Sequence, residues 1–168
     1  MANWIPAGNS PIDSALNLNK AHHPSCYVSS SAEETMLIGQ NIAKLLKKGS
    51  VLAVRGPLGA GKTCLVKGIA QFLSVEEEIT SPSYTIVCEY EGKINENTLP
   101  FYHIDAYRLQ GDDDFYALGG EEYIFGNGIA VVEWSERISN SLPDEALFVD
   151  IEIESDMRRI IRISGGEV

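Results

Sequence analysis

The 168-residue chain is short of basic charge, of cysteine and of long apolar runs. Thirteen lysines and arginines stand against 24 aspartates and glutamates, a formal net charge of −11, and the basic residues are scattered rather than gathered into a stripe. Such a surface repels phosphate backbones, which argues against nucleic-acid binding by the chain alone outside a local phosphate site. Three cysteines, Cys26, Cys64 and Cys88, are odd in number and far apart. They form neither a disulfide framework nor a zinc-ligand spacing, and a reducing, cytoplasmic setting is the expectation. Residues 1–25 lack a basic start and a continuous apolar core, so they read as neither a signal peptide nor a membrane anchor but as a loose extension rich in Asn, Ser and Pro. His22 and His23 have no Cys, Asp or Glu set around them, and a metal site needs three or four converging ligands. Internal repeats and low-complexity tracts are absent.

What is present is a phosphate-binding pattern in the right place. Gly56-Pro57-Leu58-Gly59-Ala60-Gly61-Lys62-Thr63 satisfies G-x-x-x-x-G-K-[ST] at every fixed position and directly follows the apolar run Val51-Leu52-Ala53-Val54. Glycines let the backbone turn so that successive N–H groups point at anionic oxygens. Lys62 supplies a cation for the β- and γ-phosphates, and the Thr63 hydroxyl can ligate Mg²⁺. Beyond the loop, Leu65, Ile69, Phe72 and Leu73 recur at helical spacing over Cys64 to Leu73, so the loop opens a helix whose positive end faces the phosphates.

The length suits one core, and residues 26–164 are expected to form a single P-loop domain. Cys26-Tyr27-Val28 can form a first strand. Ser30 and Ser31 precede Glu33 and Glu34 at capping-box spacing, and Ile38, Ile42, Leu45 and Leu46 make a helical stripe that Gly49 ends. Tyr84 to Tyr90 is β-rich, while Phe101 to Ile104 and Ile129 to Val132 are apolar enough to lie inside a sheet covered on both faces. Phe148 to Ile153 and Ile160 to Ile163 alternate around Glu154-Ser155-Asp156, as an antiparallel hairpin would. The fold class that follows is α/β and P-loop NTPase-like: a sheet parallel at its centre and mixed at its edge, flanked by helices, with a C-terminal antiparallel hairpin.

A P-loop enzyme also needs a carboxylate at the end of a neighbouring buried strand to position Mg²⁺. Glu133 ends Ile129 to Val132 and Asp105 ends Phe101 to Ile104. The first strand is the cleaner apolar run, so Glu133 is the better metal ligand or water-orienting base, and Asp105 could share the metal shell or orient water. Either could instead cap a helix or pair with Arg108 or Arg137. Trp134 would point to the opposite side of the strand from Glu133, toward core packing. Asp112, Asp113 and Asp114 suit the first turn of a helix through Phe115, Tyr116 and Leu118, where they oppose its dipole.

Together with the loop, three further segments carry a resemblance: Ser81-Pro82-Ser83-Tyr84-Thr85-Ile86-Val87-Cys88-Glu89-Tyr90, His103-Ile104-Asp105-Ala106-Tyr107-Arg108-Leu109, and Glu133-Trp134-Ser135-Glu136-Arg137. In order and spacing they resemble the TsaE (YjeE) family from Tyr27 to about Ile163. The resemblance implies a small bacterial ATPase required for threonylcarbamoyladenosine formation at position 37 of tRNAs reading codons that begin with A. It implies ATP-dependent association with the TsaB–TsaD heterodimer, with tRNA met only through that complex and no membrane partner. It assigns phosphate binding to Gly56 through Lys62, Mg²⁺ to Thr63 and Glu133, and hydrolysis or metal positioning to Asp105. Ser81 to Tyr84 resembles a switch-like segment near the γ-phosphate, Arg158 a family arginine near the nucleotide, and Ala32 to Thr35 a further contact. Where the family usually has Asp and a second Thr, this chain has Pro57 and Cys64, and Ser83 replaces the commoner Thr while keeping the hydroxyl.

Rival readings come from other classes. A small-molecule or nucleoside kinase shares the P-loop but needs an arginine-bearing lid and an acceptor pocket, for which the segments leave little chain. A GTPase needs an N-K-x-D element, which is missing after the P-loop. A binding module could use ATP as a structural clamp rather than a fuel.

Overall fold

A computed structural model describes residues 25–81 and 85–165. His22, His23 and the stretch from Pro82 to Tyr84 lie outside the described residues. The strands are β1 (Ser25–Ser29), β2 (Val51–Arg55), β3 (Val87–Ile94), β4 (Asn97–Asp105), β5 (Ile129–Glu133), β6 (Leu147–Ser155) and β7 (Arg158–Gly165). They form one seven-stranded sheet in the order β1-β7-β6-β2-β5-β4-β3. The pairs β6–β2, β2–β5 and β5–β4 are parallel, whereas β3–β4, β6–β7 and β7–β1 are antiparallel. Val51 to Val54 and all of β5 are buried, as expected of central strands covered on both faces.

Helix α1 (Ala32–Ala43) starts where Ser31, in extended conformation, accepts a hydrogen bond from the Glu34 backbone N–H, while Glu34 accepts one from the Ser30 N–H. The apolar stripe outlasts the helix: the N–H groups of Leu45 and Leu46 reach only three residues back, to Ile42 and Ala43, before Gly49 turns at φ 85°. Helix α2 (Lys62–Phe72) begins two residues earlier than the apolar spacing predicts, at the P-loop lysine itself. The two helices touch backbone to backbone. A Cβ on Gly68 would stand 2.0 Å from Met36 O, and one on Gly39 2.3 Å from Leu65 O. Both glycines are therefore required by the crossing, which brings the start of α1 against the P-loop.

The sheet divides the core in two. On one side Ile38, Ile42, Leu65, Ile69, Val54 and Val131 pack beneath α1 and α2. On the other, Ile104, Val132 and Ile138 meet Phe115 of α3 (Asp112–Ala117) and Ile124 of α4 (Glu121–Ile124). The three aspartates open α3 as expected, but they are more than a solvated start. Asp114 accepts from the Gln110 N–H, and Asp112 accepts from Ser141 and Asn140.

Two hairpins differ from the sequence reading. The segments read as separate strands around residues 84–90 and 101–104 are arms of one antiparallel hairpin, β3–β4, closed by Asn95 and Glu96 at φ 47° and 66°. Two successive left-handed residues make the turn that a two-residue hairpin needs, here without the glycine that usually announces it. The C-terminal hairpin forms as expected, but its turn is Asp156-Met157. Glu154 and Ser155 belong to β6, with an irregularity in pairing between Ile153 and Ser155. Among the described residues, no helix is long and apolar enough to cross a membrane.

Candidate functional site

The C-terminal ends of β2, β4 and β5 converge on the P-loop. Gly56, Gly59 and Gly61 all have positive φ, 146°, 77° and 101°. At Gly56 a Cβ would also lie 2.5 Å from Ile151 O, so neither the conformation nor the space admits another residue. Gly61 caps α2 with no side-chain hydrogen bond, which leaves the positive helix end to the loop side. Pro57, Leu58 and Ala60 complete the cradle, where Ala60 N–H bonds Pro57 O at 3.2 Å and the Leu58 side chain is exposed.

Lys62 is 5% exposed, and its Nζ donates to Gly56 O at 2.7 Å and Pro57 O at 2.9 Å. The same ammonium lies 3.6 Å from the centroid of the Trp134 ring. Burial pulls the lysine pKa down, opposed by the carboxylates of Glu133, Glu136 and Asp105. Trp134 packs against the core below α3, as the sequence suggested, but it also leaves the strand in the left-handed region at φ 57°. That departure from strand geometry sets its ring against Lys62, and the Tyr107 ring packs against it at a tilt of 48° with centroids 4.8 Å apart. Strand alternation alone could not have revealed this contact.

Thr63 Oγ1 donates toward both oxygens of Glu133, at 2.9 and 3.1 Å, across 70 residues of sequence. Glu133 is 2% exposed and also meets His103 Nε2 at 2.8 Å. Asp105 is the register partner of Glu133 on the adjacent strand. Its carboxylate accepts from the Tyr107 N–H at 3.0 Å, capping a 3₁₀ turn over Ala106–Arg108, and from Ser81 Oγ at 3.2 Å. The last bond ties the described end of the switch-like segment to Asp105.

Arg158 does not join this group. It pairs with Glu154 at 3.1 Å, both side chains well exposed. Alternation along β7 sends the next residue the other way. Arg159 donates to Ser155 O at 3.2 Å and Asp156 O at 2.9 Å, and reaches Gly59 O at 3.4 Å, fastening the hairpin turn to the P-loop. Between that turn and the start of α1 lies a cavity of ≈ 240 Å³, lined among others by Ser31, Thr35, Gly61, Cys64, Met157 and Arg159. Thr35 is fixed there by Ser29 Oγ at 2.6 Å. Cys64 donates to Ala32 O at 3.1 Å, and burial pushes its thiol pKa up, so it stays protonated at neutral pH.

The donor set is hard: one hydroxyl and one carboxylate, which suits Mg²⁺ rather than a soft metal. Among the described residues, no group of three or more His, Cys, Asp or Glu side chains is placed to hold a metal ion by itself. Thr63 and Glu133 therefore fit an ion that brings or shares further oxygen ligands, as one carried by a polyphosphate does.

Comparison with known proteins bears on the same residues. The family described as "Threonylcarbamoyl adenosine biosynthesis protein TsaE" matches residues 29–161. The chain is 40% identical over 137 residues to a protein of Treponema pallidum (strain Nichols) named tRNA threonylcarbamoyladenosine biosynthesis protein TsaE, covering 82% of this chain and 98% of that one. It is 41% identical over 129 residues to the protein of the same name in Bacillus subtilis (strain 168), covering 77% and 78%. The crystal structure of Bacillus subtilis YdiB superposes with a TM-score of 0.69 at 33% identity, over 89% of this chain and 90% of that one.

Proposed function

The chain belongs to the TsaE family of threonylcarbamoyl adenosine biosynthesis proteins, and from that premise we propose that it is a Mg²⁺-dependent ATPase serving this tRNA modification from the cytoplasm. The observation that carries the reading is the bond from Thr63 to Glu133 beside a P-loop lysine. ATP lies with its phosphates along Gly56 to Thr63 and its nucleoside toward the cavity between the α1 start and the β6–β7 turn. Lys62 exchanges the carbonyls of Gly56 and Pro57 for phosphate oxygens, a stronger, charge-assisted pairing. Because Thr63 gives its only hydroxyl proton to Glu133, its lone pairs remain for a cation. Thr63 and Glu133 would hold Mg²⁺, which would supply charge neutralisation for the terminal phosphates. Asp105 orients the attacking water and receives its proton, and its bond to Ser81 couples that event to the switch-like segment.

Association with TsaB and TsaD gives the ATP cycle its purpose. A net charge of −11 leaves tRNA to the partners, so recruitment runs through protein contacts that read the bound nucleotide. Two measurements test the reading. ATP turnover is followed with and without TsaB–TsaD for the parent chain and Lys62→Ala, with nucleosides offered as phosphoryl acceptors. Turnover to ADP and inorganic phosphate, lost in the variant, is expected; a phosphorylated nucleoside would establish a kinase instead. Binding to the heterodimer is then compared with ATP, a non-hydrolysable analogue, ADP and no nucleotide, beside direct tRNA binding at two salt concentrations. Tight, salt-sensitive tRNA binding by the chain alone, with indifference to TsaB–TsaD, would overturn the proposal.

A further inference from the structure

His103 is 0% exposed, and a buried imidazole has two nitrogens to satisfy. Nε2 faces Glu133 Oε1 at 2.8 Å, whereas Nδ1 has no hydrogen-bond partner among the described residues. These two facts select the tautomer. A proton on Nδ1 would bury an unanswered donor and turn the Nε2 lone pair onto a carboxylate lone pair. A proton on Nε2 satisfies the carboxylate and leaves only an unpaired acceptor behind, the smaller penalty. A leucine would fill the same space with no unsatisfied atom at all, so packing does not account for the ring.

The account lies at Glu133. In the β4–β5 register His103 stands opposite Val131 and Asp105 opposite Glu133, so the imidazole sits one pleat back from the carboxylate on the same sheet face. Thr63 Oγ1 is nearly equidistant from the two Glu133 oxygens, at 2.9 and 3.1 Å, and so does not choose between them. His103 does, because its ring nitrogen meets Oε1. We propose that His103 is a positioning residue for Glu133: its Nε2–H fixes Oε1, sets the plane of the carboxylate and leaves Oε2 to serve the divalent cation shared with Thr63. Removing it leaves a buried carboxylate with a single hydroxyl partner and freedom to turn. The inference rests on the reading of Thr63 and Glu133 as the metal residues.

The test uses the full chain loaded with a non-hydrolysable ATP analogue, with Mn²⁺ uptake followed by electron paramagnetic resonance. His103→Gln, His103→Asn and His103→Leu separate reach from polarity, since a glutamine amide extends about as far as Nε2 and an asparagine amide only about as far as Nδ1. The asparagine and leucine variants are expected to raise the Mn²⁺ half-saturation concentration about 10- to 100-fold, the range for losing a partner that orients a metal ligand. The glutamine variant stays within about threefold on the same scale, and analogue binding in EDTA is the same in all four proteins. Equal Mn²⁺ uptake by the glutamine and asparagine variants, or parental uptake by the leucine variant, overturns the positioning role. Should the leucine variant fail to fold, the glutamine–asparagine split decides alone. A parent chain that binds the analogue but takes up no Mn²⁺ overturns the metal reading itself, and this inference falls with it.

Discussion

Asp105 and Glu133 stand side by side at the ends of adjacent parallel strands, yet their surroundings share little. Glu133 is buried, bonded to a helix-borne hydroxyl and to an imidazole. Asp105 is half-buried and bonded to the backbone of the turn that follows it and to a serine hydroxyl. The difference comes from what each strand faces. β5 pairs with β2, which runs straight into the P-loop and α2, so its last residue meets Thr63. β4 lies one strand further out, between β5 and the hairpin arm β3, so its last residue meets the chain around Ser81. A fixed, dry carboxylate suits holding a cation; one at the wet edge suits handling water.

The sharpest test of that division is Asp105→Asn. Asparagine caps as well as aspartate, so folding stability should move by less than about 0.5 kcal/mol, while kcat for ATP falls about 10²- to 10⁴-fold, the range for losing a general base. The Mg²⁺ concentration for half-maximal rate should not move. Steady-state rates over a Mg²⁺ series read both quantities, and an unchanged kcat would reduce Asp105 to its turn.

Glu133→Gln should do the reverse. The amide keeps the shape and still accepts from Thr63, but the charge is gone, so the Mg²⁺ requirement should rise by about 100-fold, at least as much as for loss of a residue that merely orients a ligand. Calorimetric titration of nucleotide with EDTA and with Mg²⁺ checks this: affinity in EDTA should match the parent, and a Mg²⁺ response like the parent's would make Glu133 structural.

Asp105→Ala separates capping from chemistry at the outer strand. It should repeat the kcat loss of the asparagine variant and add about 1 kcal/mol of destabilisation from the uncapped turn, measured by urea unfolding. Equal stability of the two variants would show that the bond to Tyr107 N–H contributes nothing.

The smallest effect belongs to a second pair of neighbours. Arg159→Ala releases the β6–β7 turn from Gly59 and should weaken nucleotide binding several-fold, in line with about 1 kcal/mol for hydrogen bonds of this kind, whereas Arg158→Ala removes an exposed ion pair worth about 0.5 kcal/mol or less and should leave binding alone. Fluorescent-nucleotide titration distinguishes them, and a larger loss from Arg158→Ala would put that residue, rather than Arg159, at the nucleotide.

The sequence by itself determined the features that rest on contiguous residues. Backbone conformation and phosphate chemistry demand the glycines, lysine and threonine of the loop in that order, and burial on two faces demands unbroken apolar strands such as Val51 to Val54. The capping Ser31 of α1 and the bond from Gln110 to Asp114 at the start of α3 were legible for the same reason, since their partners are within a few residues, whereas the bonds of Asp112 to Asn140 and Ser141 were not. What only the tertiary structure decided depends on register and on which face a strand presents. The β3–β4 hairpin turns on left-handed Asn95 and Glu96, residues with no glycine to mark them. Arg159 rather than Arg158 reaches Gly59, because alternation says that neighbours diverge but not which one points inward. His103 meets Glu133, and Lys62 meets Trp134, across 30 and 72 residues of sequence. Contacts at such separations exist only once the sheet order is set, and that order is fixed by the packing of the whole core rather than by any segment of it.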